Sequence, residues 1–300
     1  LASMKTILPS FSLLMFLLGA TAGGVAADGS SRKVLSLAGF WSIAEGKMDV
    51  VPASFDRTVP VPGLVTLATP AFTPAPGPKV ADRRAFPHKD PARDAFWYRR
   101  TFRLDQPVPA VARLKVAKAM FGSQVILNGR LLGAHVGSFT PAYYDARTAL
   151  QSGENVLLIR VGADRDAVTQ AVPGGFDNEK NRYIPGIFDS VELILSGTPH
   201  ILQLQTVPDI AAKTVRVQAV LRNAGPARTA AVAFVVREAK SGRIAGRITS
   251  EPVALAAAAE VTVDVRIPLT DCRLWSPEDP FLYRLDADSS ADRFTTRFGM

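Results

Sequence analysis

Cysteine is all but missing from this sequence. Cys272 is the only one in 300 residues, so no intrachain disulfide can form and the fold must be held by burial. Histidine is nearly as scarce: His88, His135 and His200 are the three, and they have no metal-ligand spacing. No metal site and no cofactor are therefore expected. G-x-S-x-G, the P-loop and G-x-G-x-x-G are also missing, which removes the usual signals for a hydrolase nucleophile elbow, a nucleoside triphosphate and a dinucleotide. The series Asp286, Asp288, Ser290, Asp292 imitates the start of a calcium loop. Ala291 and Arg297 stand where that loop requires Gly and Glu, so a turn between strands is expected instead.

Acidic residues are outnumbered, 27 Asp and Glu against 35 Lys and Arg, giving a net charge of +8 and a pI of about 9.8. The arginines are dispersed from Arg32 to Arg297 with no run longer than two, and no motif of a nucleic-acid reader accompanies them. No nucleic-acid partner is expected. Long apolar runs are lacking beyond Ile7 to Leu18, which Pro9, Ser10 and Ser12 interrupt. With Lys5 before it and Val25-Ala26-Ala27 after it, residues 1–27 read as a secretory signal cleaved before Asp28, with Leu1-Ala2-Ser3 preceding the first methionine. Export to the periplasm or the extracellular space is expected, with no stable membrane insertion after cleavage.

Helical periodicity is lacking as well, the best candidate, Ala254 to Glu260, being short and without an amphipathic stripe. What is present is period two. Phe96, Tyr98, Phe102 and Leu104 alternate with Trp97, Arg99, Thr101 and Arg103; Val215 to Leu221 and Val261 to Ile267 repeat the pattern. Asn-Gly at 128, Ser-Gly at 152, Gly-Gly at 174 and Ser-Gly at 241 punctuate the runs as turns do in antiparallel sandwiches. Asn128-Gly129 suits a type I′ hairpin, which needs φ > 0 at both central residues. The fold class is all-β. A boundary is expected near Gly197-Thr198-Pro199, with few contacts across it. It separates 28–198, enough for a jelly-roll sandwich, from 199–300, the size and rhythm of an immunoglobulin-like one. The stretch Pro60 to Asp94, rich in Pro and charge, reads as a long loop, of a length that is usually functional or disordered.

FWYRRTF (96–102), VILNGRLLGAHVGSFTPAYYD (125–145), SGENVLLIRV (152–161), IPGIFDSVELI (184–194) and LWSPEDPFLYRL (274–285) together resemble successive blocks of glycoside hydrolase family 2, which includes β-galactosidases, β-glucuronidases and β-mannosidases. The resemblance covers nearly all of the chain after the signal, in order. It implies a jelly-roll sugar-binding domain followed by an immunoglobulin-like domain. It also implies a retaining mechanism with two carboxylates roughly 5 Å apart, both on a C-terminal TIM barrel of about 250 residues that this sequence does not contain. The implied role is the non-catalytic N-terminal portion of an exported β-glycosidase whose parent acts on carbohydrate, with homo-oligomerisation left open. The alternatives are a stand-alone carbohydrate-binding protein of the same two sandwiches and a structural or adhesive sandwich.

In that family the hairpin and its aromatics are scaffold, so Phe139, Tyr143 and Tyr144 are expected to pack or to border the sheet. The loops before the first and fourth blocks border the active-site pocket in relatives. Here they offer His88, Lys89 and Asp90 in one, and Asp177 and Asn178 in the other, side chains suited to hydrogen bonds with sugar hydroxyls. The substrate-binding candidates are therefore Asp177, Asn178, His88 and Asp90, with no catalytic residue in the chain. Asp189 departs from the basic residue the family usually carries after its PGI-aromatic motif.

Overall fold

The computed structural model describes residues 32–73, 93–169, 171–172 and 184–300. The expected signal, 1–27, lies outside them. Among the described residues the regular structure is β-strand, broken only by two single-turn 3-10 helices, Val65–Leu67 and Arg165–Ala167. No helix there is long and apolar enough to cross a membrane. The chain is all-β and forms a jelly-roll sandwich followed by an immunoglobulin-like one.

The first sandwich packs a four-stranded sheet on a six-stranded one. The former runs Lys33–Ser36, Val191–Ser196, Val111–Val116, Ala142–Asp145 in space; the latter runs Arg57–Val61, Gly39–Gly46, Ala95–Leu104, Gly153–Gly162, Ser123–Leu127, Arg130–His135. All these pairings are antiparallel, and the chain crosses between the sheets as a jelly roll does. Inward-facing positions from both sheets build one core, in which Trp41, Phe96, Tyr98, Leu114, Leu157, Ile159 and Leu193 are fully buried. Each such side chain contributes about 1.5–3 kcal/mol by leaving water. Trp41 meets Tyr98 edge to face at 6.5 Å between ring centroids.

Trp97 breaks the alternation read from the sequence. It points away from this core yet is buried, because the segment after Gly46 folds over it. Its indole N–H donates to the Lys47 carbonyl at 2.8 Å. The stretch after Pro60 also begins more regularly than a loop, with a short strand Gly63–Leu64, the 3-10 turn that follows it, and a buried Phe72.

The second sandwich pairs a three-stranded sheet, His200–Asp209, Thr214–Arg222, Glu260–Pro268, with a four-stranded one, Ile244–Thr249, Ala233–Glu238, Tyr283–Asp288, Arg293–Phe298. Val215, Val217, Ala219 and Leu221 point inward with Phe234, Val236, Ile267, Tyr283 and Leu285, forming a core that shares no residue with the first. Arg216 and Gln218, between them in sequence, point outward and bond Asp264 on the neighbouring strand. The segment 254–260 forms no helix: Val253–Leu255 is a strand, and Ala258 turns the chain with φ 57° into Glu260–Pro268.

The connection between the sandwiches is not the open linker its Pro and Gly suggest. Thr198 and His200 are buried. The Gly197 N–H donates to the Ala291 carbonyl at 3.0 Å, and the Ser289 hydroxyl to the Pro199 carbonyl at 2.7 Å. The turn that imitates a calcium loop supplies these anchors. Asp288 pairs with Arg293 across it at 2.6 Å, and Asp292 is buried beneath.

Candidate functional site

His88, Asp90, Asp177 and Asn178 lie in 74–92 and 173–183, outside the described residues. The chain that flanks those two segments is described, and it forms one continuous base. Residues 93–94 lead into the strand Ala95–Leu104, and the strand Gly153–Gly162 leads out toward 173–183. The two strands pair, Ala95 opposite Gly162. Beyond that pair the Ala163 N–H donates to the Asp94 carbonyl at 2.9 Å. Gly162 exchanges hydrogen bonds with Phe121, at 3.0 and 3.4 Å. The neighbouring strand Ala119–Met120 pairs with Gly186–Ile187, which returns from the second segment and pairs on its other side with Gly63–Leu64. Phe72, just before the first segment, stacks edge to face on Phe96, just after it, with centroids 5.0 Å apart.

Two arginines pin this base from inside. Arg93, 5% exposed, donates from Nε to Glu45 at 2.6 Å and lies against the rings of Phe72 and Phe96. Arg165, 8% exposed, gathers carbonyls of the segment that follows it: Nη1 donates to Val168 and Thr169 at 3.0 Å each, and Nη2 to Val172 at 2.7 Å. Bonds from a charged donor to neutral carbonyls are stronger than neutral pairs, so the root of the second segment is held firmly. Met120, Phe121 and Val168, with Ala167 and Phe188, add a small apolar cluster.

Close backbone approach accounts for the glycines here. A Cβ on Gly162 would stand 2.1 Å from the Ala167 Cβ, and one on Gly186 would stand 2.5 Å from the Gly63 carbonyl oxygen. Asp189, at the edge of the base, pairs with Lys118 at 2.9 Å and accepts the Ser190 N–H at 2.7 Å. The Lys118 bond first, then the Ser190 amide, hold its carboxyl below the usual carboxylate range. In this chain the acidic replacement at 189 is thus satisfied by a lysine from an adjacent segment.

At the other end of the first sandwich the hairpin has the geometry read from the sequence, with φ of 50° at Asn128 and 79° at Gly129. Its asparagine is a brace. Nδ2 donates to the Ala149 carbonyl and to Asn155 Oδ1, and Oδ1 accepts the Val156 N–H, each at 2.8 Å. Asn155 is fully buried, and its amide is hydrogen-bonded to Gln151, Gly153 and Asn128. Of the aromatics, Tyr144 is buried against Ser123. Phe139 and Tyr143 are about half exposed, the first beside Phe188, the second under the Arg113 guanidinium at 4.5 Å. Sequence reasoning had no signal for Asn155, Arg93 or Arg165 as the residues that brace the two ends.

Elsewhere, a shallow depression of about 430 Å³ on the outer face of the second sandwich is lined by Arg237, Arg284, Arg293, Asp286, Asp288 and Thr295. Its charges pair with one another across the strands. Among the described residues no group of three or more His, Cys, Asp and Glu could hold a metal ion.

Comparison with known proteins bears on this architecture. Residues 199–300 match the glycosyl hydrolases family 2 pattern. A β-galactosidase large subunit from Leuconostoc lactis is 29% identical over 164 residues, 54% of this chain and 24% of that protein. A calcium-binding mutant of Bacteroides uniformis β-glucuronidase 2 superposes with a TM-score of 0.67 at 18% identity, covering 90% of this chain and 33% of the other. A family 2 β-galacturonidase from Eisenbergiella tayi, bound to galacturonate, gives 0.66 at 19% identity, with 90% and 43% covered. The chain therefore spans less than half the length of each of these relatives. By sequence the second sandwich matches the glycosyl hydrolases family 2 pattern, and the two sandwiches together share the fold of the solved structures compared.

Proposed function

We propose that this chain is the non-catalytic, two-sandwich portion of an exported retaining β-glycosidase, comprising a signal at 1–27, a sugar-binding jelly roll at 28–198 and an immunoglobulin-like domain at 199–300. Its work is to support a catalytic barrel and to border that barrel's pocket. The barrel supplies both carboxylates, one as acid/base and one as nucleophile. The segments 74–92 and 173–183 reach the substrate carbohydrate, where His88, Asp90, Asp177 and Asn178 exchange hydrogen bonds with sugar hydroxyls. The observation that carries this reading is the shared base of those segments: their flanks are joined by backbone hydrogen bonds from Asp94 through Ala163, Gly162 and Phe121 to the strand that holds Gly186. Two polar segments whose flanks share one braced base can act on one ligand. The glycosidase names of the relatives agree with it.

The test has two parts. Purified 28–300 is expected to show no turnover of aryl β-galactoside, β-glucuronide or β-mannoside above a buffer control. Turnover abolished by a substitution within 28–300 overturns the reading. Sequencing the gene past codon 300 is expected to show an open frame entering alternating strands and helices that carry an Asn-Glu pair. An immediate stop codon transfers the conclusion to a stand-alone carbohydrate-binding protein.

A further inference from the structure

His200 opens the first strand of the second sandwich, is 4% exposed, and has no hydrogen-bond partner at either ring nitrogen. A buried imidazole without partners is tolerable uncharged and costly charged. The charged groups facing it come from both sandwiches. From the first come Arg113, on the strand Val111–Val116, and Arg32, immediately before Lys33–Ser36. From the second come Arg222, its cross-strand neighbour, itself paired with Glu260 at 3.2 Å, and Asp292 in the final turn. The Asp292 carboxylate near it is already engaged. Asp292 takes Arg32 Nε at 2.9 Å and Nη2 at 2.7 Å, and the Ile201 N–H at 2.7 Å, while Arg32 Nη2 also donates to the Ile201 carbonyl at 2.6 Å. This tie runs from the first strand of one sandwich to the first and last strands of the other, and His200 sits beside it.

We infer that His200 is an acid-sensitive latch between the two sandwiches. Uncharged, it fills the junction and leaves the Arg32–Asp292 tie closed; protonated, it adds a fourth cation among three guanidinium groups and releases the junction while each core stays folded. Burial first, then Arg113, with Asp292 opposing and Arg32 and Arg222 adding to it, lower its pKa from 6.5 to about 4. The folded value lies below the unfolded one, so the closed junction is at full strength above the ordinary histidine pKa and weakens as pH falls from about 6.5 toward 4. Over that window the equilibrium constant for opening rises by about tenfold per pH unit.

The test is amide hydrogen exchange in the full chain, normalised for the intrinsic effect of pH, at pH 7, 6 and 5. The reporter is Gly197, whose N–H donates to the Ala291 carbonyl across the junction, and the controls are Ile159, Ile201 and Val217 in the two cores. Wild type is expected to lose protection at Gly197 by about tenfold per unit below pH 6.5 while the core amides hold. H200F, which leaves no hydrogen bond unmade and carries no proton, is expected to keep junction protection flat, and H200Q serves the same purpose if the phenylalanine does not fit. Equal pH dependence in wild type and both variants overturns the proposal. So does an unchanged wild-type junction, or loss of protection in the cores together with the junction.

Discussion

The strand Gly153–Gly162 ends in two different ways, and the contrast separates what holds the first sandwich together from what it presents. At the hairpin end, side-chain amides do the bracing: Asn128 and Asn155 bind each other and the surrounding backbone. Both amides find their partners within the domain, so that end is closed. At the other end the backbone itself makes the joints, around glycines with no room for a side chain, and arginines clamp the segments as they leave. That end is built rigid where 74–92 and 173–183 join it.

The largest expected effect falls on the closed end. Asn155→Ala removes an amide with four hydrogen bonds in a fully buried position, leaving buried backbone groups unpaired. At about 0.5–1.5 kcal/mol per bond the cost is about 3 kcal/mol, read as a shifted denaturant midpoint at unchanged slope. A loss under about 1 kcal/mol would mean water replaces the amide and the end is less closed than its bonding implies.

Gly162→Ala comes next. Its methyl would collide with the Ala167 Cβ and the Phe121 carbonyl, an overpacking that costs about 2 kcal/mol. Added susceptibility to proteolysis between 163 and 172 should accompany it. A stable variant with unaltered cleavage would show that the base yields and would erase the contrast between the ends.

The smallest effects are expected at the proposed substrate-binding residues. In the parent enzyme, Asp177→Ala or Asn178→Ala is expected to lower kcat/KM by about 3- to 10-fold, the equivalent of one hydrogen bond of about 0.5–1.5 kcal/mol, without a matching loss of thermal stability. Wild-type kinetics in both single variants and in the double variant would remove this segment from the pocket.

Much of the fold was legible from residue order, because wherever a sheet has one wet face the side chains must alternate; Val215 to Leu221 show this plainly. Asn128-Gly129 was legible because few residue pairs tolerate its two positive φ angles. Trp97 was misread for a physical reason: the face it occupies is covered by a non-strand segment that leaves no periodic trace. The bracing residues were illegible in another way. Asn155, Arg93 and Arg165 carry no local pattern, and their importance comes from carbonyls and carboxylates that strand pairing brings to them. Candidate site residues were reached only through the resemblance, since nothing in the residues around Asp94 or Ala163 announces that these two positions meet.

The first strand of the jelly roll, Lys33–Ser36, pairs with its last, Val191–Ser196. During synthesis, therefore, the sheet cannot close until the final strand has emerged from the ribosome, however early the intervening hairpins form. Non-local pairing of this kind slows folding, and the Arg32–Asp292 tie comes later still, drawing on residues from both ends of the described chain. The first sandwich thus stays open until Ser196 has been made, and its tie to the second waits for Asp292.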